Sequence, residues 1–376
     1  MLRSWGILAA LFVCAAQAQD ASIPDPPKLV AKSYYLVDFA SGTVLAESSS
    51  DRRVEPASLT KLMTAYVVFK ALQDGRIKID DAAPVSERAW RMDGTRMFIE
   101  LNSRVKVEDL LRGMLIQSGN DASVALAEHV AGSEDAFVES MNQYAAALGL
   151  QDTAYRNPTG LPARGHYSTA RDLAVLAKAL IAEFPDYYVL AAEREFSYNG
   201  ITQHNRNALL WRDPSVDGIK TGHTHAAGYC LVSSAQRDGM RLIAVILGAE
   251  TARARNSGGQ RLLDYGFEHY ETHKLYSAGQ QISVARVWGG EPERASLGLV
   301  NDLFVTIPRG RYAALSASMD LPIDLVAPLQ PGTPVGEVKV LLADTLLSNM
   351  PLVALQQVVE GGLWTKLRDE IHLWLE

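Results

Sequence analysis

The sequence predicts an α+β fold: an antiparallel sheet flanked by helices with a helical lobe, followed by a small all-β domain and a C-terminal amphipathic helix. Three observations carry that expectation. Strand-like runs open the chain and return after residue 217, bracketing a helical middle, so one sheet draws strands from both ends of a domain. Beyond residue 277 the pattern becomes short alternating runs broken by Pro292, Pro308, Pro322, Pro331 and Pro334, which reads as β structure with turns. After Gly361-Gly362, apolar residues recur at Leu363, Leu367, Ile371 and Trp374, one helical stripe.

Bulk properties narrow the class. At 376 residues, more than one domain is expected. Hydrophobic content of 48% and charge of 21% describe an ordinary globular protein. The net charge of −7, with no basic cluster, argues against nucleic acid as a partner.

The first expected segment, residues 1–18, reads as a signal peptide. Arg3 leads an apolar stretch too short to span a bilayer, and Ala16-Gln17-Ala18 is a small-x-small cleavage site. Its loss would leave Cys230 as the single cysteine, unable to form an internal disulfide. A catalytic domain is expected over residues 25–277. Runs at 33–38 and 43–46, joined through Ser41-Gly42, read as a β-hairpin. Pro56 then precedes a helix with Leu59, Leu62, Met63, Tyr66 and Val67 on one face and Gly75 as its stop. A helical pattern over 107–130 is interrupted at 118–121, and further helices are expected at 134–148 and 169–182. Runs at 228–235 and 240–248 meet at Asp238-Gly239, a hairpin signal, and a helix over 252–270 follows. A β-rich domain is expected over 278–360, with strands near 282–288, 303–307, 323–327 and 336–342. Residues 361–376 suit a helix lying in a membrane interface, although its acidic residues outnumber its basic ones.

Three short motifs fall in order on these elements: Ser58-Leu59-Thr60-Lys61 at a helix start, Ser118-Gly119-Asn120 between helices, and Lys220-Thr221-Gly222 on a strand. Each is weak alone, and the ordered trio is strong. Ser58 and Lys61, three apart, share a helix face, which sets a nucleophile beside a base. Lys61 accepts a proton only when neutral, so its pKa must fall from about 10.4. Burial and a second cation, expected to be Lys220, lower it. Ser118 offers a hydroxyl to pass a proton to the leaving amine, and Asn120 fixes Lys61 or a substrate amide. Lys220 and Thr221 can hold a substrate carboxylate, Gly222 admits close backbone approach, and the N–H groups of Ser58 and His223 form an oxyanion hole.

With these residues in place, the chain resembles the S-x-x-K serine D-alanyl-D-alanine carboxypeptidases, the low-molecular-weight penicillin-binding proteins. The likeness extends to Asp217-Gly218-Ile219-Lys220-Thr221-Gly222-His223-Thr224, to Asn157-Pro158-Thr159-Gly160-Leu161-Pro162 and to the run from His166 to Leu173. It implies a β-lactamase/transpeptidase-like fold, with Ser58 as acyl-enzyme nucleophile, Lys61 as base, Ser118 as proton relay and Lys220 as carboxylate binder. The implied reaction removes terminal D-Ala from peptidoglycan pentapeptide stems, and β-lactams acylate the same serine. The implied place is the periplasm, on the outer face of the inner membrane through the C-terminal helix. A β-lactamase would need a Glu for deacylation, and none occurs between Glu139 and Glu183. A non-catalytic wall-binding module would not need all four reactive residues. No cofactor or metal is expected: His223 and His225 alternate along the chain without a third ligand nearby.

Overall fold

The structure, a computed structural model, describes residues 23–322 and 324–362. The expected signal peptide, and all but the first two residues of the helix expected over 361–376, lie outside the described residues. No helix among the described residues is long and apolar enough to cross a membrane.

The first sheet draws strands from both ends of its domain, as the pattern of runs predicts. Its strands are β1 (Ser33–Asp38), β2 (Val44–Ser48), β3 (Val216–Thr224), β4 (Gly228–Arg237) and β5 (Met240–Ala249). Their order across the sheet is β2-β1-β5-β4-β3, antiparallel throughout. β4 and β5 close at Asp238 and Gly239, both at positive φ, which matches the right-handed twist of a hairpin. Alternation in β5 feeds two cores. Ile243, Val245 and Leu247 enter the core shared with the helical lobe, while Leu242, Ala244 and Ile246 face the opposite core. The second core is covered by the helix Ala252–His269, named α6 because five lobe helices precede it.

Those lobe helices are α1 (Lys61–Gln73), α2 (Val107–Arg112), α3 (Asn120–Ala131), α4 (Glu134–Ala147) and α5 (Ala170–Glu183). α1 is buried on nearly every side, from Lys61 to Phe69, so it is the axis of the lobe rather than a surface helix. Its stop is Gly75, at φ +71°. The interruption expected at 118–121 begins earlier: a wide turn over Gly113–Gln117 ends α2, and Ser118 adopts φ +71° before α3 starts. α5 begins where its sequence says, because the Thr169 hydroxyl accepts the Asp172 N–H.

The β-rich region beyond α6 begins with a strand over Tyr270–Tyr276 that pairs antiparallel with Leu303–Pro308. A six-stranded sheet follows, in which Pro334–Leu342 pairs with Leu315–Asp320 on one side and Thr345–Ala354 on the other. Val287, Leu297, Val338, Val340 and Leu352 fill its core. The two regions meet at Asp38. Its carboxylate accepts from the Ser41 hydroxyl at 2.9 Å and from the Thr272 hydroxyl at 2.7 Å. Thr306 bridges those two hydroxyls at 2.6 and 2.8 Å.

Candidate active site

Ser58 does not open an α-helix directly. Residues Ala57–Thr60 form a 3-10 turn, and α1 proper begins at Lys61. That difference matters to geometry. In a 3-10 turn, side chains at i and i+3 eclipse, so Lys61 stands over Ser58. Its Nζ lies 3.3 Å from the Ser58 Oγ. Ala57 at φ +47° turns the chain into this arrangement.

Lys61 is fully buried and is held by three groups. Besides Ser58, Nζ donates to the Asn120 Oδ1 at 2.7 Å and to the Thr159 carbonyl at 2.6 Å. Burial lowers its pKa to about 7, with Asp121 opposing and Arg206 assisting. Arg206, which the sequence did not point to, thus joins Lys220 as a cation acting on Lys61. Lys220 is itself buried at 2% exposure, and its pKa is pushed well below the ordinary lysine value by burial, then by Lys61, Arg206 and Arg255. Lys61 and Lys220 repel each other when both are charged, so each lowers the proton affinity of the other. Near neutral pH this arrangement supplies an uncharged amine within reach of a hydroxyl, the requirement for activating a serine.

The cleft above this pair has a volume of about 520 Å³ and is lined by Ser58, Ser118, Asn120, Thr221, Gly222 and His223. The eight expected site residues thus converge: six on the cleft wall, with Lys61 and Lys220 buried beside it. Gly222 runs close beside the serine, since a Cβ there would lie 3.1 Å from the Ser58 N and 3.2 Å from the Pro56 O. Lys220 Nζ donates to the Thr221 carbonyl at 3.0 Å. The Ser118 Oγ is buried without a hydrogen-bond partner among the described residues. An orphaned hydroxyl costs stability unless a ligand engages it. His223 is exposed, its ring tilted over Tyr229 at 4.1 Å between centroids.

His166 supports the floor of the site. Nδ1 accepts the Arg156 N–H at 3.3 Å, which leaves Nε2 to donate to the Thr60 hydroxyl at 2.8 Å. Burial, then Arg156, lower its pKa to about 4, so it shapes the loop without titrating near neutrality. Cys230 is fully buried, and burial raises its pKa to about 11. No group of three metal-ligating side chains occurs among the described residues.

Arg206, Arg255 and Thr95 also line the cleft, and sequence reasoning missed all three. They come from separate segments with no motif around them. The one available signal was chemical: a cleft for a carboxylate needs cations, but no spacing says which.

Known proteins resemble this chain along most of its length. Residues 20–251 match the family model described as D-alanyl-D-alanine carboxypeptidase, and residues 270–360 match that of the penicillin-binding protein 5 C-terminal domain. The D-alanyl-D-alanine carboxypeptidase DacA of Escherichia coli (strain K12) is 44% identical over 97% of this chain and 94% of its own length. The structure of penicillin binding protein 5 from Haemophilus influenzae superposes with a TM-score of 0.87 at 42% identity, covering 90% of this chain and all of that one. Penicillin-Binding Protein D2 from Listeria monocytogenes, in its ampicillin-bound form, matches at 30% identity and a TM-score of 0.60, over 65% of this chain and all of its own. With a buried Lys61 under Ser58, matched family models over both regions and relatives aligned along almost the whole length, this chain belongs to the serine D-alanyl-D-alanine carboxypeptidase family.

Proposed function

We propose that Ser58 attacks the carbonyl of the penultimate D-Ala in a pentapeptide stem, with neutral Lys61 taking its proton. The observation that carries this reading is the fully buried Lys61 amine, 3.3 Å from the Ser58 hydroxyl and drawn to a pKa of about 7. The tetrahedral oxyanion lies between the Ser58 and His223 N–H groups. Ser118, whose hydroxyl is orphaned in the cleft wall, relays the proton to the leaving D-Ala amine. Asn120 orients Lys61. Thr221 and Lys220 receive the terminal carboxylate, whose negative charge raises the proton affinity of Lys220 and keeps it cationic while substrate is bound. Water then hydrolyses the acyl-enzyme and frees the tetrapeptide. A β-lactam enters by the same attack, in line with the ampicillin-bound relative.

The same reading puts the enzyme in the periplasm after loss of residues 1–18, attached to the outer face of the inner membrane by residues 361–376. The support is the apolar stripe of the tail and the cleavage pattern at Ala16-Gln17-Ala18.

Incubation of the purified protein with a peptide ending in D-Ala-D-Ala tests the reaction. The expected result by mass spectrometry is loss of one alanine, abolished in Ser58→Ala. Undiminished release by Ser58→Ala would overturn the assignment.

A further inference from the structure

We propose that Asp121 is a positioning residue of this site: a buried carboxylate that fastens the loop of residues 93–99 against the Ser118–Asn120 segment and so fixes which way the Asn120 amide points. The inference rests on Lys61 being the base.

The loop of residues 93–99 has no helix or strand of its own, so its backbone groups need other partners. Asp121 supplies them. At 1% exposure, its Oδ1 accepts from Met97 N at 3.0 Å and Ala122 N at 2.9 Å. Its Oδ2 accepts from Phe98 N at 2.9 Å and Ile99 N at 3.4 Å. No salt bridge reaches it among the described residues, so backbone amides alone solvate this charge. Phe98 sits at φ +68°, a conformation a bulky residue adopts only when its surroundings impose it.

The other end of the loop reaches the reactive groups. Thr95 Oγ1 donates to the Ser118 carbonyl at 2.5 Å, and Asn120 N donates to the Thr95 carbonyl at 2.7 Å. Most telling, the Asn120 Nδ2 donates to the Asp93 carbonyl at 2.7 Å. With the NH2 group taken by the loop, the amide must present Oδ1 to the Lys61 Nζ. If the loop moved away, Asn120 could turn its donor toward an amine that needs an acceptor. Gly94 and Thr95 line the cleft, so the same fastening also sets its wall. Gly119 is required for the close fit, since a Cβ there would lie 2.8 Å from the Asp121 Oδ1.

Asp121 acts on Lys61 through charge as well. It raises the Lys61 proton affinity against burial and against Arg206, which faces the amine from the segment before β3, while Lys220 on β3 lies in the same field. A neutral replacement therefore lowers the Lys61 pKa further and shifts the onset of activity toward acid.

The test is the pH profile of the second-order rate of acylation by benzylpenicillin in Asp121→Asn, with Asp121→Glu beside it. The expected result is an acid limb about 0.5 to 1 unit lower and a plateau reduced about tenfold in Asp121→Asn. Asp121→Glu brings the limb back toward the wild-type position. A folded Asp121→Asn with the wild-type plateau overturns the proposal, whether or not its melting temperature falls, while a lowered plateau with the wild-type limb supports the fastening and removes only the charge effect. Should that variant not fold, amide hydrogen exchange in the unaltered enzyme decides: protection of the Met97 and Phe98 amides supports the fastening, and exchange at free-loop rates overturns it. Absence of any acid limb in the wild type would instead remove Lys61 as base, a failure of the underlying mechanism.

Discussion

Lys61 and His166 show how burial assigns different work to two titratable side chains on neighbouring segments. Both lose affinity for the proton. Lys61 ends near neutrality, where it can exchange one, and His166 ends near 4, where it cannot. For His166 the consequence is a stability dependence with a definite sign. Its folded pKa lies below the unfolded value of about 6.5, so the unfolded chain takes up the proton first. The contribution of the neutral ring is complete above about 6.5, declines as pH falls, and is gone below about 4. Between pH 7 and 4 the wild type should lose on the order of 3 kcal/mol from this group, and His166→Gln should show a correspondingly flatter dependence. Urea denaturation at the two pH values measures this; equal dependence in both proteins would contradict it. At this scale much of the site was legible. Ser58, Lys61, Ser118, Asn120 and Lys220 could be read because the chemistry demands given residue types at given spacings. Arg206 and Asp121 could not. Their influence on Lys61 runs through space, and an Asp one place after a motif resembles any first-turn carboxylate of a helix.

Among the elements, the turn before α1 is where prediction and structure diverge to most effect. The apolar periodicity gave a helix start near Ser58, and a helix is there, but its first turn is 3-10. Propensity does not encode that tightening. It comes from neighbours: the strand at Gly222 on one side and the 157–161 loop on the other. Gly160 of that loop is at φ +85°, and a Cβ on it would collide with the Ala57 carbonyl oxygen. The obstacle is the backbone of the turn carrying Ser58, not a flexible side chain. Gly160→Ala should therefore cost about 2 kcal/mol or more and reduce benzylpenicillin acylation by more than about tenfold. Thermal melting together with acylation kinetics checks both parts, and wild-type behaviour in both would show that the loop yields. In the β-rich region the strands Arg294–Gly298, Leu315–Asp320 and Thr345–Ala354 escaped sequence reading. Leu315–Asp320 is an exposed edge rich in Ser and Ala, and Thr345–Ala354 carries Asn349 and Pro351, so neither shows a clean apolar alternation.

Across the whole molecule, the sheet and the lobe place the nucleophile, and the second region is tied to the opposite end of the same sheet. Strands from both termini of the catalytic part had to meet, which the bracketing of helices by strands made readable. The junction was not readable, because it depends on the Thr272 hydroxyl meeting the Asp38 carboxylate, and on Thr306 meeting the Ser41 hydroxyl, each across more than two hundred residues of sequence. Asp38 is wholly buried there. Asp38→Ala strands those donors and should lower the unfolding free energy by about 2 kcal/mol. Equilibrium urea unfolding reads this, and a change below about 0.5 kcal/mol would mean that the pairing of Tyr270–Tyr276 with Leu303–Pro308 holds the regions without it.

All of these levels serve one event, the transfer of the Ser58 proton to an uncharged Lys61. The most direct measurement is the rate of benzylpenicillin acylation from pH 5 to pH 9, with the adduct located by peptide mass mapping. The account predicts a covalent adduct on Ser58 and a rate that falls with acidification through about pH 7, the value to which burial brings Lys61. A rate independent of pH across that range, or an adduct on any other residue, would contradict it.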